Sequence, residues 1–417
     1  MTNRHILLSI FVLFGAASAP EVVRPMVLRV TTLTAEGEGS LRAALDDPRP
    51  RLVVFEAGGV IDLHGRPLIV RHPHLLVAGQ TAPDPGITMI RGALIVETSD
   101  VTIQHIAVRS GSAYADDAMG ARRGPQPVHD VVFDHCSATW AVDENLSVSG
   151  PADMTAETSH DVTLRSCLIA EGLSHSVHAK GEHSKGTLIH DGVRNVTISG
   201  CLYAHNRQRN PRLKGSTTAA LTENVIYDWG DQCVGVGARG NRKVLAPAEA
   251  TLVGNVAIAG PSTTSPALVK NVDDGGGKLT LRDNVLVASG ARPREALAPR
   301  SGERVALSVA KGRVRGATRA TLERVLRTAG ARPAHRDAID TRIVQSVIDG
   351  TGRIIDSQEE VGGYPVRPAT RRALVVPKSG REAWLQRLSD ELSTDRAIDL
   401  APLWKRLSAA PSPDSRR

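Results

Sequence analysis

Short runs of alternating apolar and polar residues recur along this chain at a nearly constant interval. Seven segments carry the pattern: VTIQHIAV from Val101, VVFDHCSA from Val131, VTLRSCLI from Val162, VTISGCLY from Val196, AALTENVI from Ala219, ATLVGNVA from Ala250 and LTLRDNVL from Leu279. Five positions after each start stands Ile106, Cys136, Cys167, Cys201, Asn224, Asn255 or Asn284, in steps of 30, 31, 34, 23, 31 and 29 residues. Repetition at roughly 20–50 residues marks a solenoid, a propeller or an array. The period-2 alternation of Val, Ile and Thr reads as strands and excludes helical repeats. A propeller blade needs four strands in about 40 residues, more than these units hold. A parallel β-helix fits, with equivalent residues of successive coils about 4.8 Å apart.

Stacked Asn side chains can then hydrogen-bond along a ladder, and Cys136, Cys167 and Cys201 read as small buried thiols of the interior rather than as disulfides. RLVVFEAGGVIDL (Arg51 to Leu63) and LLVAGQ (Leu75 to Gln80) read as an earlier coil. The repeat fades near Ser289, so the β-helix is expected over 28–290. An Arg-, Ala- and Gly-rich linker follows, and 291–417 forms a helical or irregular tail packed outside the solenoid. Helical spacing marks Thr318 to Gly330, Asp337 to Gly352 (opened by an Asp cap) and Arg381 to Ser393. SPDSRR at the end reads as disordered.

The first 19 residues resemble a secretory signal peptide: Arg4 and His5, an apolar run from Ile6 to Phe14 too short to span a bilayer, and the small residues Ala17 to Ala19. This predicts a secreted or periplasmic protein with no membrane span after cleavage. Composition adds two constraints. Aromatics are 3% of the 417 residues, so the core must be aliphatic. Lys and Arg outnumber Asp and Glu by 51 to 44, a formal charge of +7, which favours polyanionic partners.

Candidate chemistry clusters in two groups. Asp116 and Asp117 precede one coil, and Asp143 and Glu144 the next. A solenoid aligns such positions on one face, and grouped carboxylates suit a hard cation such as Ca²⁺. The basic group is HSVHAKGEHSKG, with His178, Lys180, His183 and Lys185, and RQRNPRLKG, with Arg207, Arg209, Arg212 and Lys214. Pro211 fixes its own φ and restricts Asn210 to extended geometry, making a stiff platform for side chains. Acids beside bases suit a uronic-acid polymer: Ca²⁺ can bridge protein and sugar carboxylates while Arg and Lys bind the rest.

VTTLTAEGEGSLRAAL (Val30 to Leu45), LLVAGQTAPDPGITM (Leu75 to Met89), VFDHCSATWAVDENLS (Val132 to Ser147), HAKGEHSKG (His178 to Gly186), RNPRLKG (Arg209 to Gly215), NVIYDWG (Asn224 to Gly230) and GTGRIIDSQEEVGGYP (Gly350 to Pro365) occur in order. Together they resemble polysaccharide lyase family 1, the pectate lyases, and are most similar to its bacterial pectate-lyase-like group. The resemblance implies a right-handed parallel β-helix. Through R-x-P-x-x-[RK] it implies Arg209 as the catalytic base, with Lys214 where arginine is more usual. It implies Asp117, Asp143 and Glu144 as Ca²⁺ ligands, although a further acid expected four residues beyond Asp143 is Ser147 here. The catalytic lysine is assigned to Lys180, with Lys185 the alternative, and Arg212, Lys214 and His178 to substrate binding.

The implied reaction is β-elimination on polygalacturonate or pectin by a secreted monomer. An arginine base must lose its usual proton, and the crowd of Arg207, Arg212 and Lys214 is expected to depress Arg209. Competing readings are a lyase on another uronic polymer or on methylated pectin, and a non-catalytic β-helix that binds acidic polysaccharide. Export and clustered acids oppose a nucleic-acid partner.

Overall fold

The computed structural model describes residues 24–122, 124, 126–150, 157–237, 246–272, 277–287 and 317–409. The expected signal peptide, the linker of 291–316 and the terminal SPDSRR lie outside the described residues.

The chain winds as a right-handed parallel β-helix of three sheets. The first sheet stacks ten strands in chain order, from Met26–Val30 to Gly277–Arg282. The second holds eight, from Leu68–Val70 to Val269–Asn271. The third holds ten, of which the antiparallel Thr370–Arg371 covers the edge strand Ala57–Asp62. All seven repeat segments contribute strands to the first sheet, in register: Val131 pairs with Val162, Val162 with Val196, Val196 with Ala219, Ala219 with Ala250 and Ala250 with Leu279. Their alternate residues fill the shaft, which is aliphatic apart from a few rings such as Phe55, Phe133 and Trp229.

The corner between the first and third sheets explains the fifth-position pattern. The residue before each stacked position, from His105 through His135, Ser166, Gly200, Glu223 and Gly254 to Asp283, has φ between 50° and 65°. This left-handed residue turns the strand sharply and aims the next side chain into the coil. There Cys136, Cys167 and Cys201 are free, buried thiols. Asn224, Asn255 and Asn284 continue the file, with Asn224 Nδ2 donating to Asn255 Oδ1 at 2.9 Å and Asn255 Nδ2 to Asn284 Oδ1 at 2.8 Å.

Among the described residues, five α-helices complete the fold: α1 (Leu41–Leu45), α2 (Ala317–Thr328), α3 (Ala338–Asp349), α4 (Arg381–Leu392) and α5 (Ala401–Ala409). Asp337 caps α3 through Asp340 N, and Gly350 ends it at φ 75°. Helices α2, α3 and α5 bury Leu322, Ile343, Val347 and Leu403 against Trp140, Leu168, Leu202 and Tyr227, on the outer face of the third sheet. Two polar anchors fix α3 there. Arg109, fully buried, donates to Asp340 Oδ1 at 2.5 Å and Asp337 Oδ2 at 3.1 Å. His205 bridges Asp228 Oδ2 and Ser346 Oγ, each at 2.7 Å. Among the described residues no helix is long and apolar enough to cross a membrane.

Candidate active site

The third-sheet strands pass into the second sheet through turns that stack on one flank. Asp116 and Asp117 lie before Met119–Arg122, Asp143 and Glu144 before Leu146–Ser149, Lys185 before Leu188–Ile189, and Gln208 and Arg209 before Arg212–Leu213. Parallel bridges align Glu144 with Lys185 and Lys185 with Gln208. Four sequence segments, up to 93 residues apart (209 less 116), thus share one surface.

Arg209 occupies the centre. Its backbone is left-handed, φ 63°, an uncommon state for a non-glycine residue. Its side chain is only 18% exposed and pairs with the Glu144 carboxylate, itself 4% exposed. Its Nε is buried with no hydrogen-bond partner among the described residues. Burial, with the charge of Arg212 second, lowers Arg209 to about 10 against the opposing pull of Asp143 and Asp117. The crowding expected from the sequence therefore reduces to Arg212. Arg207 turns away to Glu182 and Asp231, and Lys214 Nζ pairs with Asp191 at 2.5 Å.

The acids divide differently from the sequence expectation. Asp116, Asp117 and Asp143 each offer a carboxylate oxygen within 4.8 Å of one another, whereas Glu144 faces Arg209. Burial, and then the like charges of Asp143 and Asp116, push Asp117 well above the usual carboxylate range. Burial also pushes Asp143 up, but the His183 hydrogen bond and the charges of His183, His178 and Arg209 outweigh it and hold Asp143 at about 2. His183 Nε2 lies 2.6 Å from Asp143 Oδ1, and His178 Nε2 lies 3.6 Å from Oδ2. The rings stack at 3.8 Å and 15°. Nearly parallel rings send their nitrogen lone pairs side by side rather than toward one point. His178 Nδ1 also accepts from Lys180 N at 3.0 Å, which leaves the ring proton on Nε2. The histidines are therefore arranged to orient Asp143, not to converge on an ion with it. Ser147, where an acid is expected, accepts from Leu188 N at 3.3 Å.

Lys180 does not join this row: it is exposed on the long turn between Glu171 and Thr187. Lys185 does. It is buried, donates to Gln208 Oε1 at 2.6 Å, and is lowered to about 8 by burial and then by Arg207, against the pull of Asp231, Glu182 and Asp143. Gln208 continues to Asp231 at 2.8 Å, and Lys270 Nζ reaches Asp231 Oδ2 at 3.1 Å. The site is thus a three-carboxylate nest beside a buried arginine and lysine, on the outer flank of a right-handed parallel β-helix.

Comparison with known proteins agrees with that architecture. A probable pectate lyase C of Aspergillus terreus is 35% identical over 244 residues, 58% of this chain and 52% of the relative. Its namesake from Aspergillus flavus is 35% identical over 247 residues, with the same coverage. The chain therefore spans about half the length of the curated relatives it matches. These relatives are fungal and add nothing to the resemblance to a bacterial group. A solved structure of a pectate lyase from Bacillus sp. N165 in complex with trigalacturonate superposes with a TM-score of 0.51 at 12% identity, over 73% of this chain and 93% of that one; at that identity the likeness is one of fold. No known family profile matches the chain.

Proposed function

We propose that this protein is a polysaccharide lyase of the pectate lyase family that cleaves polygalacturonate by β-elimination. The observation that carries the proposal is the buried Arg209, lowered to about 10 and bordered by the acid nest and Lys185. The similarity to probable pectate lyases supports the substrate class.

In this reading, unprotonated Arg209 takes the proton at C5 of a galacturonate. The C5–H electron pair forms the C4–C5 double bond, the C4–O bond breaks, and the departing oxygen acquires a proton. Lys185, rather than the exposed Lys180, is assigned as the cation that balances charge growing on the sugar carboxylate. Arg212, whose charge reaches Arg209, adds positive potential for the same polymer. Three carboxylates with oxygens within 4.8 Å of one another, with Asp117 pushed up by burial and then by the other two, fit a hard cation with oxygen ligands. Asp116, Asp117 and Asp143 would hold Ca²⁺, with His178 and His183 orienting Asp143, and Glu144 gives up its expected ligand role to pair with Arg209. When bound, Ca²⁺ supplies Lewis-acid stabilisation of the substrate carboxylate. Secretion or periplasmic residence, suggested by the first 19 residues, belongs to the same proposal.

Ultraviolet absorbance of the unsaturated product tests the reading. Purified protein on polygalacturonate with Ca²⁺ is expected to give a steady rise that a chelator stops and re-added Ca²⁺ restores. No rise on polygalacturonate, methylated pectin or alginate overturns it in favour of a β-helix that only binds acidic polysaccharide.

A further inference from the structure

Behind the site, the interior holds three amides: Asn145, Asn206 and Asn210, at most 1% exposed. Asn145 directly follows Glu144, and Asn210 directly follows Arg209. Asn206 joins them. Asn206 Oδ1 accepts from Asn145 Nδ2 at 2.9 Å and from Gly172 N at 3.0 Å. Asn206 Nδ2 donates to Asn210 Oδ1 at 3.1 Å and Ile169 O at 2.9 Å. All four hydrogen-bonding positions of one side-chain amide are thereby used. The outer members are tied to their own turns and to the next coil. Asn145 accepts from Ala141 N at 3.0 Å and donates to Ala170 O at 3.1 Å. Asn210 donates to Asn206 O at 3.3 Å, and its backbone N–H donates to Cys233 O at 2.9 Å.

The file differs from the Asn224–Asn255–Asn284 ladder. That ladder lies at the corner between the first and third sheets and touches none of the site turns. The Asn206 file runs from the turn that carries the acids to the turn that carries the arginine. Arg209 itself adopts a left-handed backbone. A fully bonded buried amide accepts only one relative placement of the groups it joins, because any shift strands a donor or acceptor away from water.

We infer that Asn206 is a positioning residue: with Asn145 and Asn210 it forms a buried chain of amides that sets the Arg209 turn against the Asp143–Glu144 turn. The inference rests on the lyase reading for its catalytic consequence, and on geometry alone for the link. Asn206→Ala leaves Asn145, Gly172 and Ile169 each short of a partner, and the two turns lose their common reference. A misplacement near 1 Å at a reacting group costs about a hundredfold in rate.

The test compares wild type, Asn206→Ala and Asn255→Ala well below their melting temperatures. Asn255→Ala removes an equally bonded interior amide away from the site. Asn206→Ala is expected to lower kcat by about a hundredfold with KM changed only a few-fold, while Asn255→Ala keeps kcat near wild type. A kcat within about threefold of wild type in Asn206→Ala, or an equal loss in Asn255→Ala, overturns the inference. If Asn206→Ala does not fold, Asn145→Ala, which cuts the same chain at the acid end, is judged by the same criteria. Hydrogen exchange reads the link without substrate: Asn206→Ala speeds exchange in segments 141–148 and 206–214 together and leaves 248–258 unchanged. Unaltered exchange in the two turns overturns the link. A wild type inactive on every polyuronate would defeat the lyase reading, with exchange still deciding whether Asn206 couples the turns.

Discussion

At the scale of single residues, the proposed base role of Arg209 needs an arginine that gives up its proton more readily than usual. Burial supplies most of this, with Arg212 second. Only the unprotonated fraction of Arg209 can accept a proton, and that fraction rises tenfold per pH unit below its pKa. The log of kcat/KM is therefore expected to climb with unit slope toward about pH 10, as a pH–rate profile would show. Arg209→Lys keeps a cation but loses the planar donors. It should cut kcat by at least about a hundredfold, on the scale of a misplaced reacting group, with KM nearly unchanged; retention of most activity would remove Arg209 from the base role. Glu144→Gln tests the pairing. Removing the anion beside Arg209 disfavours its charged form, so the rising limb should move to lower pH. A limb that stays put or moves higher would refute Glu144 as the counter-ion. The sequence showed the basic cluster, and only the family resemblance, through R-x-P-x-x-[RK], directed attention to Arg209 within it. The Glu144 contact was not legible, because consecutive acids on a turn point in different directions and spacing does not say which one meets which neighbour.

At the scale of elements, the strands of the first sheet followed from period-2 patterning, and their register followed from the fixed distance between repeats. Helices α2, α3 and α4 lie where helical spacing and the Asp337 cap placed them. Helix α5 escaped notice because its apolar positions, Leu403 and Leu407, make a short stripe. What attaches this tail to the solenoid was invisible in the sequence: Arg109 and its partners Asp337 and Asp340 are separated by more than two hundred residues. Arg109→Ala leaves Asp340 in the interior without its cation and Asp337 with only the more distant Arg367, 3.9 Å away. It should destabilise the protein by about 3–5 kcal/mol, measured by urea unfolding. The loss should shrink at acid pH, where those carboxyls take up protons and no longer need a partner.

At the scale of the whole molecule, the excess of cations and the flank of stacked turns suit a long anionic chain. Binding of polygalacturonate to an inactive Arg209→Lys variant should weaken several-fold from about 0.01 M to 1 M salt, as the screening length falls from about 30 Å to about 3 Å. Binding indifferent to salt would argue that the net charge of +7 has no part in recognition. The aliphatic shaft also follows from composition, since few rings were available to fill it.

The sequence by itself determined the coil: alternation gave the strands, the near-constant step gave the stacking, and both depend only on local backbone geometry repeated many times. It also supplied the residue types of the site. Tertiary structure decided which of them meet. Lys185 rather than Lys180 enters the row because the long turn after Glu171 folds back before rejoining the second sheet, and nothing periodic governs such a turn. Asp116 joins the acid nest, and Glu144 leaves it for Arg209. Lys214 is drawn to Asp191, and the two histidines to Asp143. Those choices are made by burial and by competition among charges from different coils, quantities that exist only once the coils are stacked.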